Sequence, residues 1–176
     1  MISKEELANI IINSPSDFKD AVAGMDEPDL SELSFSEVTL SDLTFNNIDF
    51  NSSSFADSNL TEVKFIDCDL TSVDFTRTQL IECSFENSIL NGTDFSYATL
   101  SYCDFTDADM AGCIFEETDL TDSDLSNSEN LVACRFDSET IWPDSDLLPE
   151  GFDGSYSDDT SALKDEEEEY SSPDSY

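Results

Sequence analysis

Residues 66–105 read IDCDL TSVDF TRTQL IECSF ENSIL NGTDF SYATL SYCDF, and each block of five ends in a large apolar residue. The phase extends in both directions. It takes in Leu30, Phe35, Leu40, Phe45, Phe50, Phe55, Leu60 and Phe65 before this stretch and Met110, Phe115, Leu120 and Leu125 after it, twenty positions without a miss. A period of five fits neither the 3.6-residue turn of an α-helix nor the two-residue alternation of a strand. It is an internal repeat, and the repeat sets the architecture.

A longer period lies inside the first. Positions 35, 55, 75, 95 and 115 are all Phe, and 40, 60, 80, 100 and 120 are all Leu. Positions 45, 65, 85 and 105 are Phe again, and the fourth series is mixed, with Leu30, Phe50, Leu70, Leu90 and Met110. Identity therefore recurs every twenty residues, so four pentapeptides complete one superhelical turn. This predicts an all-β, four-sided solenoid with one large side chain entering from each side and like stacking on like. Two residues before the large one stand small or medium apolar residues such as Val38, Ile48, Val63, Cys68, Cys83, Ala98 and Ala108, with Ser or Thr at most of the others. They suit a second, tighter inward position.

The units Ile48-Asp49-Phe50, Cys68-Asp69-Leu70, Val73-Asp74-Phe75, Cys103-Asp104-Phe105, Ala108-Asp109-Met110 and Thr118-Asp119-Leu120 resemble the A(D/N)LXX consensus of the pentapeptide-repeat family. The resemblance implies a right-handed quadrilateral β-helix. With coils stacked at the strand spacing of ~4.8 Å, five coils make a rod ~24 Å long.

Around the repeats the chain divides into four parts. Residues 1–27 form an N-terminal helical cap, opened by a capping box at Ser3 and Glu6. Residues 28–141 form the β-helix, with a loop near 126–130, where one extra residue breaks the frame before Leu131 and Phe136. Residues 142–152 close the C-terminal end. The Trp142-Pro143 step is similar to an ending common in cyanobacterial family members. Residues 153–176, with five consecutive carboxylates at 165–169, read as a disordered acidic tail.

Forty-two acidic residues against six basic ones, with no His, give a formal net charge of −36. Such a chain does not bind nucleic acid or an anionic membrane by ordinary electrostatics, and its natural partners are basic surfaces. The sequence holds no membrane-length apolar run and no signal-peptide pattern, so a cytoplasmic protein is expected. Four of the five Cys occupy the small inward position, and Cys134 does so in a shifted frame. The reading taken is packing, since free Cys behaves as a small hydrophobe. The twenty-residue spacing of Cys83 and Cys103 also allows a disulfide. No catalytic motif, cofactor fingerprint or metal-ligand spacing is present, so neither an enzyme nor a cofactor or metal is expected.

Nine of the twenty residues just before a large one are Asp, where they serve turn geometry. The position two after the large residue reads as the freer one, and ten of its twenty occupants are acidic. On the Leu40 side these are Asp42, Glu62, Glu82 and Asp122, interrupted by Tyr102. On the Phe35 side they are Glu37, Asp57 and Glu117, interrupted by Arg77 and Tyr97. Like charges ~5 Å apart cost roughly 1 kcal/mol per pair in water, less with salt. A regular array of carboxylates resembles the phosphates of duplex DNA. The gyrase-directed quinolone-resistance and mycobacterial members of the family are DNA mimics. The resemblance thus implies a DNA-mimic inhibitor or modulator of a DNA-binding protein with a basic surface, such as DNA gyrase or a host-defence nuclease. Those members dimerise through an apolar C-terminal segment, whereas this chain turns polar and acidic soon after Trp142, leaving monomer or homodimer open. In this reading Asp42, Glu62, Glu82, Asp122, Glu37, Asp57 and Glu117 replace phosphates, and Tyr97 and Tyr102 anchor the partner. The alternative is a non-catalytic scaffolding module whose acidity serves solubility.

Overall fold

The computed structural model describes residues 2–154. Helix α1 (Lys4–Asn13) opens on a reciprocal capping box. The Glu6 backbone N–H donates to Ser3 Oγ at 3.2 Å, and the Ser3 N–H donates to the Glu6 carboxylate at 2.8 Å. The helix buries Leu7, Ala8 and Ile11. Pro15 then starts a 3₁₀ turn that leads into the short α2 (Phe18–Ala21). Phe18 is buried, with its ring edge-on to Phe45 at 5.3 Å, so the helical segment lies over the first coils.

The repeats form a quadrilateral β-helix with the four-pentapeptide coil that the twenty-residue period predicts, the right-handed fold that the family resemblance implies. Strand β1 (Thr39–Ser41), β2 (Thr44–Asn46), β3 (Asn59–Thr61), β4 (Lys64–Ile66), β5 (Gln79–Ile81) and β6 (Thr99–Ser101) are each three residues long. All pairs are parallel, in the orders β1-β3-β5-β6 and β2-β4. Leu40 faces Leu60, Leu60 faces Leu80, and Leu80 faces Leu100, while Phe45 faces Phe65. The other two sides are ladders of single bridges at the same spacing, such as Asp29 to Asp49 to Asp69 and Ser34 to Ser54 to Asp74. Strands stay short because the chain turns a corner every five residues. At many corners a turn bond closes the bend, as where the Ser53 N–H donates to the Phe50 carbonyl at 2.9 Å.

Two of the four interior columns are rings. Phe35, Phe55, Phe75, Phe95 and Phe115 stack at 4.9–5.4 Å between successive centroids. Phe45, Phe65, Phe85 and Phe105 stack at 4.9–5.5 Å. The columns meet edge-on, as in Phe65 to Phe75 at 5.8 Å with planes 76° apart. Such pairs contribute ~0.5–1.5 kcal/mol beyond the area they bury. The tighter inward position does a second job. Seven buried hydroxyls there donate to the carbonyl of the large residue one coil earlier, among them Ser53 to Leu30 at 2.7 Å, Thr93 to Leu70 at 2.7 Å and Thr118 to Phe95 at 2.8 Å. A hydroxyl therefore fits inside an otherwise apolar core.

Toward the C-terminus the spacing lengthens. Glu129 still pairs with Asp109 at twenty residues, but Arg135 pairs with Ile114 at twenty-one and Ile141 with Asp119 at twenty-two. One extra residue is absorbed by left-handed Asn130 and the 3₁₀ turn Leu131–Ala133. The fivefold count misses a second, absorbed by residues 137–140, where Thr140 Oγ1 still reaches the Phe115 carbonyl at 2.7 Å. Trp142 ends one ring column, 5.8 Å from Phe115, and packs on Phe136 and Phe152. The acidic tail expected over 153–176 lies, from residue 155 on, outside the described residues.

Phe75 touches rings on the coils before and after it. Phe75→Ala is expected to cost about 3–5 kcal/mol of unfolding free energy in a urea titration, with the native circular dichroism retained before the transition. A loss under ~1 kcal/mol would show that the column does not act as a continuous core.

Candidate functional site

The Asp residues that precede a large residue are occupied by the turns. All nine accept the backbone N–H two residues on, at 2.8–3.2 Å, from Asp29 to Ser31 through Asp124 to Ser126. This is the Asx-turn bond that pins the outer half of a corner.

The position two after the large residue is not the freer one. From Glu32 to Asp122 every such residue has φ between 52° and 73°, the left-handed conformation. Asp and Asn adopt it with little penalty, which gives Asp42, Asp57, Asp67, Asp107 and Asp122 a backbone reason to be there. Glu32, Glu37, Glu62, Glu82, Glu117, Arg77, Tyr97 and Tyr102 have no such reason, and each carries a backbone cost of ~1 kcal/mol. No β-branched residue occurs in the series. These side chains stand on the corners of the solenoid rather than on its sides.

The two acidic series named from the sequence become two ridges, one at each edge of the same side. That side is the sheet β1-β3-β5-β6. Glu37, Asp57, Arg77, Tyr97 and Glu117 line the corner before it, and Asp42, Glu62, Glu82, Tyr102 and Asp122 the corner after it. Between them lies a floor without charge from β1 to β6, made of Thr39, Asn59, Gln79 and Thr99 with Ser41, Thr61, Ile81 and Ser101. The sequence-predicted residues are thus brought together around one surface.

The ridges differ in chemistry. On the first, Arg77 grips Asp57 in a bidentate pair, Nε to Oδ1 at 2.6 Å and Nη2 to Oδ2 at 2.8 Å. The hydrogen bond and charge of Arg77 hold the Asp57 carboxyl below its ordinary range. Asp57, expected to stand in for a phosphate, is neutralised by its neighbour one coil on. The signal was present in the sequence, since opposite charges twenty residues apart must stack. The second ridge carries no cation. The charge of Asp122, then its hydrogen bond to the phenol, and the Glu82 charge beyond, push the Tyr102 hydroxyl up. Tyr97 and Tyr102 are 54% and 62% exposed, on the two sides of β6.

Other features lie elsewhere. Arg135 pairs with Glu116 at 2.6 Å, and Lys4 stands 3.9 Å from Asp29. Among the described residues no group of His, Cys, Asp and Glu is arranged to hold a metal ion. Among them too, no helix is long and apolar enough to cross a membrane.

A four-sided parallel β-helix built on a five-residue unit defines a protein class, and the sequence comparison agrees. The chain matches the pentapeptide repeat region over residues 26–95 and again over 58–136. It belongs to the pentapeptide repeat family. Among solved structures it is similar to QnrB1, a plasmid-mediated fluoroquinolone resistance protein, with 17% identity over 64% of this chain and 59% of that one and a TM-score of 0.53. Rfr23 from the cyanobacterium Cyanothece 51142 shows 15% identity over 66% of this chain and 85% of that one, TM-score 0.43. A pentapeptide repeat protein of the Arabidopsis thaliana thylakoid lumen shows 22% identity over 57% and 67%, TM-score 0.44. These likenesses concern the fold. No curated protein matches the chain.

Two outcomes follow from the corner geometry. Tyr97→Gly is expected to raise stability by about 1 kcal/mol in urea, because glycine relieves the left-handed strain; a destabilised variant would mean that the ring makes contacts worth more than the strain. Asp57 has a lowered folded-state pKa, so its contribution to stability is present above the unfolded value and is lost as pH falls through the folded one. Arg77→Ala should raise the Asp57 carboxyl pKa toward the ordinary carboxylate range in an NMR titration. An unchanged value would show that the pair does not persist in solution.

Proposed function

We propose that this protein is a non-catalytic binding module that occupies the DNA-binding surface of a basic protein, presenting corner carboxylates in place of phosphates. The observation that carries the reading is the ridge of Asp42, Glu62, Glu82, Tyr102 and Asp122. It accepts like charges on successive coils, two of them in glutamates with strained backbone, and among the described residues none of its carboxylates is in a salt bridge. Coils at ~4.8 Å with two ridges give about one corner position per ~2.4 Å of axis, against one phosphate per ~1.7 Å for duplex DNA. The Asp57–Arg77 pair breaks the first ridge, so the second is the primary contact. A fluoroquinolone resistance protein shares the fold, which makes a topoisomerase such as DNA gyrase the first target to test, and a host-defence nuclease the next.

A scaffolding role is the second reading. Tyr97, Tyr102 and the outward Ile81 are exposed around the same strands, and tyrosine is a typical anchor of a protein interface. On that reading binding is indifferent to DNA.

Binding to purified gyrase, and to proteins captured from lysate, is measured with and without excess duplex DNA. The mimic reading expects displacement by DNA, weakening with salt, and a loss of about tenfold or more in affinity for the double variant Glu62→Lys, Glu82→Lys with unchanged circular dichroism. A partner held equally well in the presence of DNA, and by the double variant, supports the scaffold instead.

A further inference from the structure

Five cysteines enter the fold, and none has a role in the surface described above. Two of them stack at the C-terminal frame break. Ile114 and Arg135 pair in parallel, and the Arg135 N–H donates to the Cys113 carbonyl at 2.8 Å. Cys113 and Cys134 therefore occupy the same tight inward position on successive coils. Their thiols donate to the stacked carbonyls of Leu90 and Met110, each at 3.0 Å. One strand spacing, ~4.8 Å, lies inside the Cα separation that a disulfide spans. Cys113 is fully buried, but Cys134 is partly exposed and lines an open cleft with Val132, Arg135, Phe136 and Phe152.

We propose that Cys134 and Cys113 form an oxidation site, which hydrogen peroxide converts to a disulfide tying the Leu131–Ala133 turn to the coil beneath it. The Cys134 sulfur attacks the peroxide. An S–O bond forms, the O–O bond breaks, and the departing hydroxide leaves as water with the thiol proton. The Cys113 sulfur then attacks the Cys134 sulfenic acid. The S–S bond forms, the S–O bond breaks, and the Cys113 proton leaves with the hydroxide as a second water. The two thiols lose two electrons and the peroxide gains them.

Cys83 and Cys103 supply an internal control. They stack in the same way, with the Asp104 N–H donating to the Cys83 carbonyl at 2.9 Å, but each is only 1% exposed. Cys68 is also sealed, and burial pushes its thiol up to about 12. Access, rather than proximity, separates the two pairs.

The full chain is treated with hydrogen peroxide, unfolded, alkylated and weighed intact, and the linked peptides are mapped. Free thiols should fall from five to three, with Cys113 joined to Cys134 in one chain. Cys134→Ser should keep the other four thiols free. Cys113→Ser should leave a sulfenic acid on Cys134 that dimedone captures; serine fills this inward position at Ser53, Ser58, Ser88 and Ser123, so that variant keeps the fold. Five persisting thiols in the wild-type chain, a Cys83–Cys103 link, or a Cys134 link between two chains would each overturn the assignment.

Discussion

Each coil of this protein depends on its neighbours for its backbone hydrogen bonds. The Leu30 N–H reaches the Asp49 carbonyl at 2.7 Å, and the Asp49 N–H reaches back to the Pro28 carbonyl at 3.1 Å. A single coil has no partner of its own, so stability is shared along the stack rather than held within a unit. The side-chain pattern follows from this. Successive coils sit at one strand spacing, and a ring stacked on a ring at about that distance fills the bore without a gap. The ends follow too. The first coils are covered by α1 and α2 with Phe18, and the last by Trp142 and the strand-like reach of Leu125 N–H to the Leu147 carbonyl at 2.8 Å. Without such covers the terminal coil would present open edges.

The same constraint separates the interior from the surface. Rings, leucines and inward hydroxyls fix the coil, while only the corner residues and the two outward positions on each side are left to carry chemistry. The acidic ridges are thus a load laid on a scaffold that already stands. Repulsion along a ridge is roughly 1 kcal/mol per neighbouring pair in water and falls with salt. Core ring contacts of ~0.5–1.5 kcal/mol each recur on every coil and are not screened. The balance favours the fold by a wide margin, which is why the chain can hold so many carboxylates in rows. The Asp57–Arg77 pair shows the local alternative, in which one cation one coil away removes the repulsion and the ridge's charge together.

The five- and twenty-residue periods made the coil, the sides and the inward columns legible, because large apolar residues report directly on a buried lattice. The capping box at Ser3 and Glu6 was legible for a similar reason, being a local motif with a fixed spacing. The corner position was misread. Its occupants are polar and varied, and composition alone looks like freedom where the backbone is in fact held left-handed. The absence of Val, Ile and Thr from the whole series from Glu32 to Asp122 was the available signal. The placement of the acidic residues followed from the register, and so did the adjacency of Asp57 and Arg77, but the bidentate geometry of that pair did not, since it depends on which rotamers meet across a coil. The second extra residue at 137–140 left no mark in the apolar phase, because Phe136 and Ile141 are themselves five apart.

The left-handed corner also restricts what the ridges can become. A residue there must tolerate a conformation that branched side chains resist, so the usable vocabulary is the unbranched one: Gly, Asn, Asp, Ser, Glu, Arg and Tyr in this chain. Within that vocabulary, charge and size vary without altering the path of the backbone. Arg77 sits on the corner at φ 56°, and Glu82, a corner on, at φ 53°. A lineage of such proteins could therefore trade sign at a corner, residue by residue, and acquire a new partner while the rod itself stays unchanged.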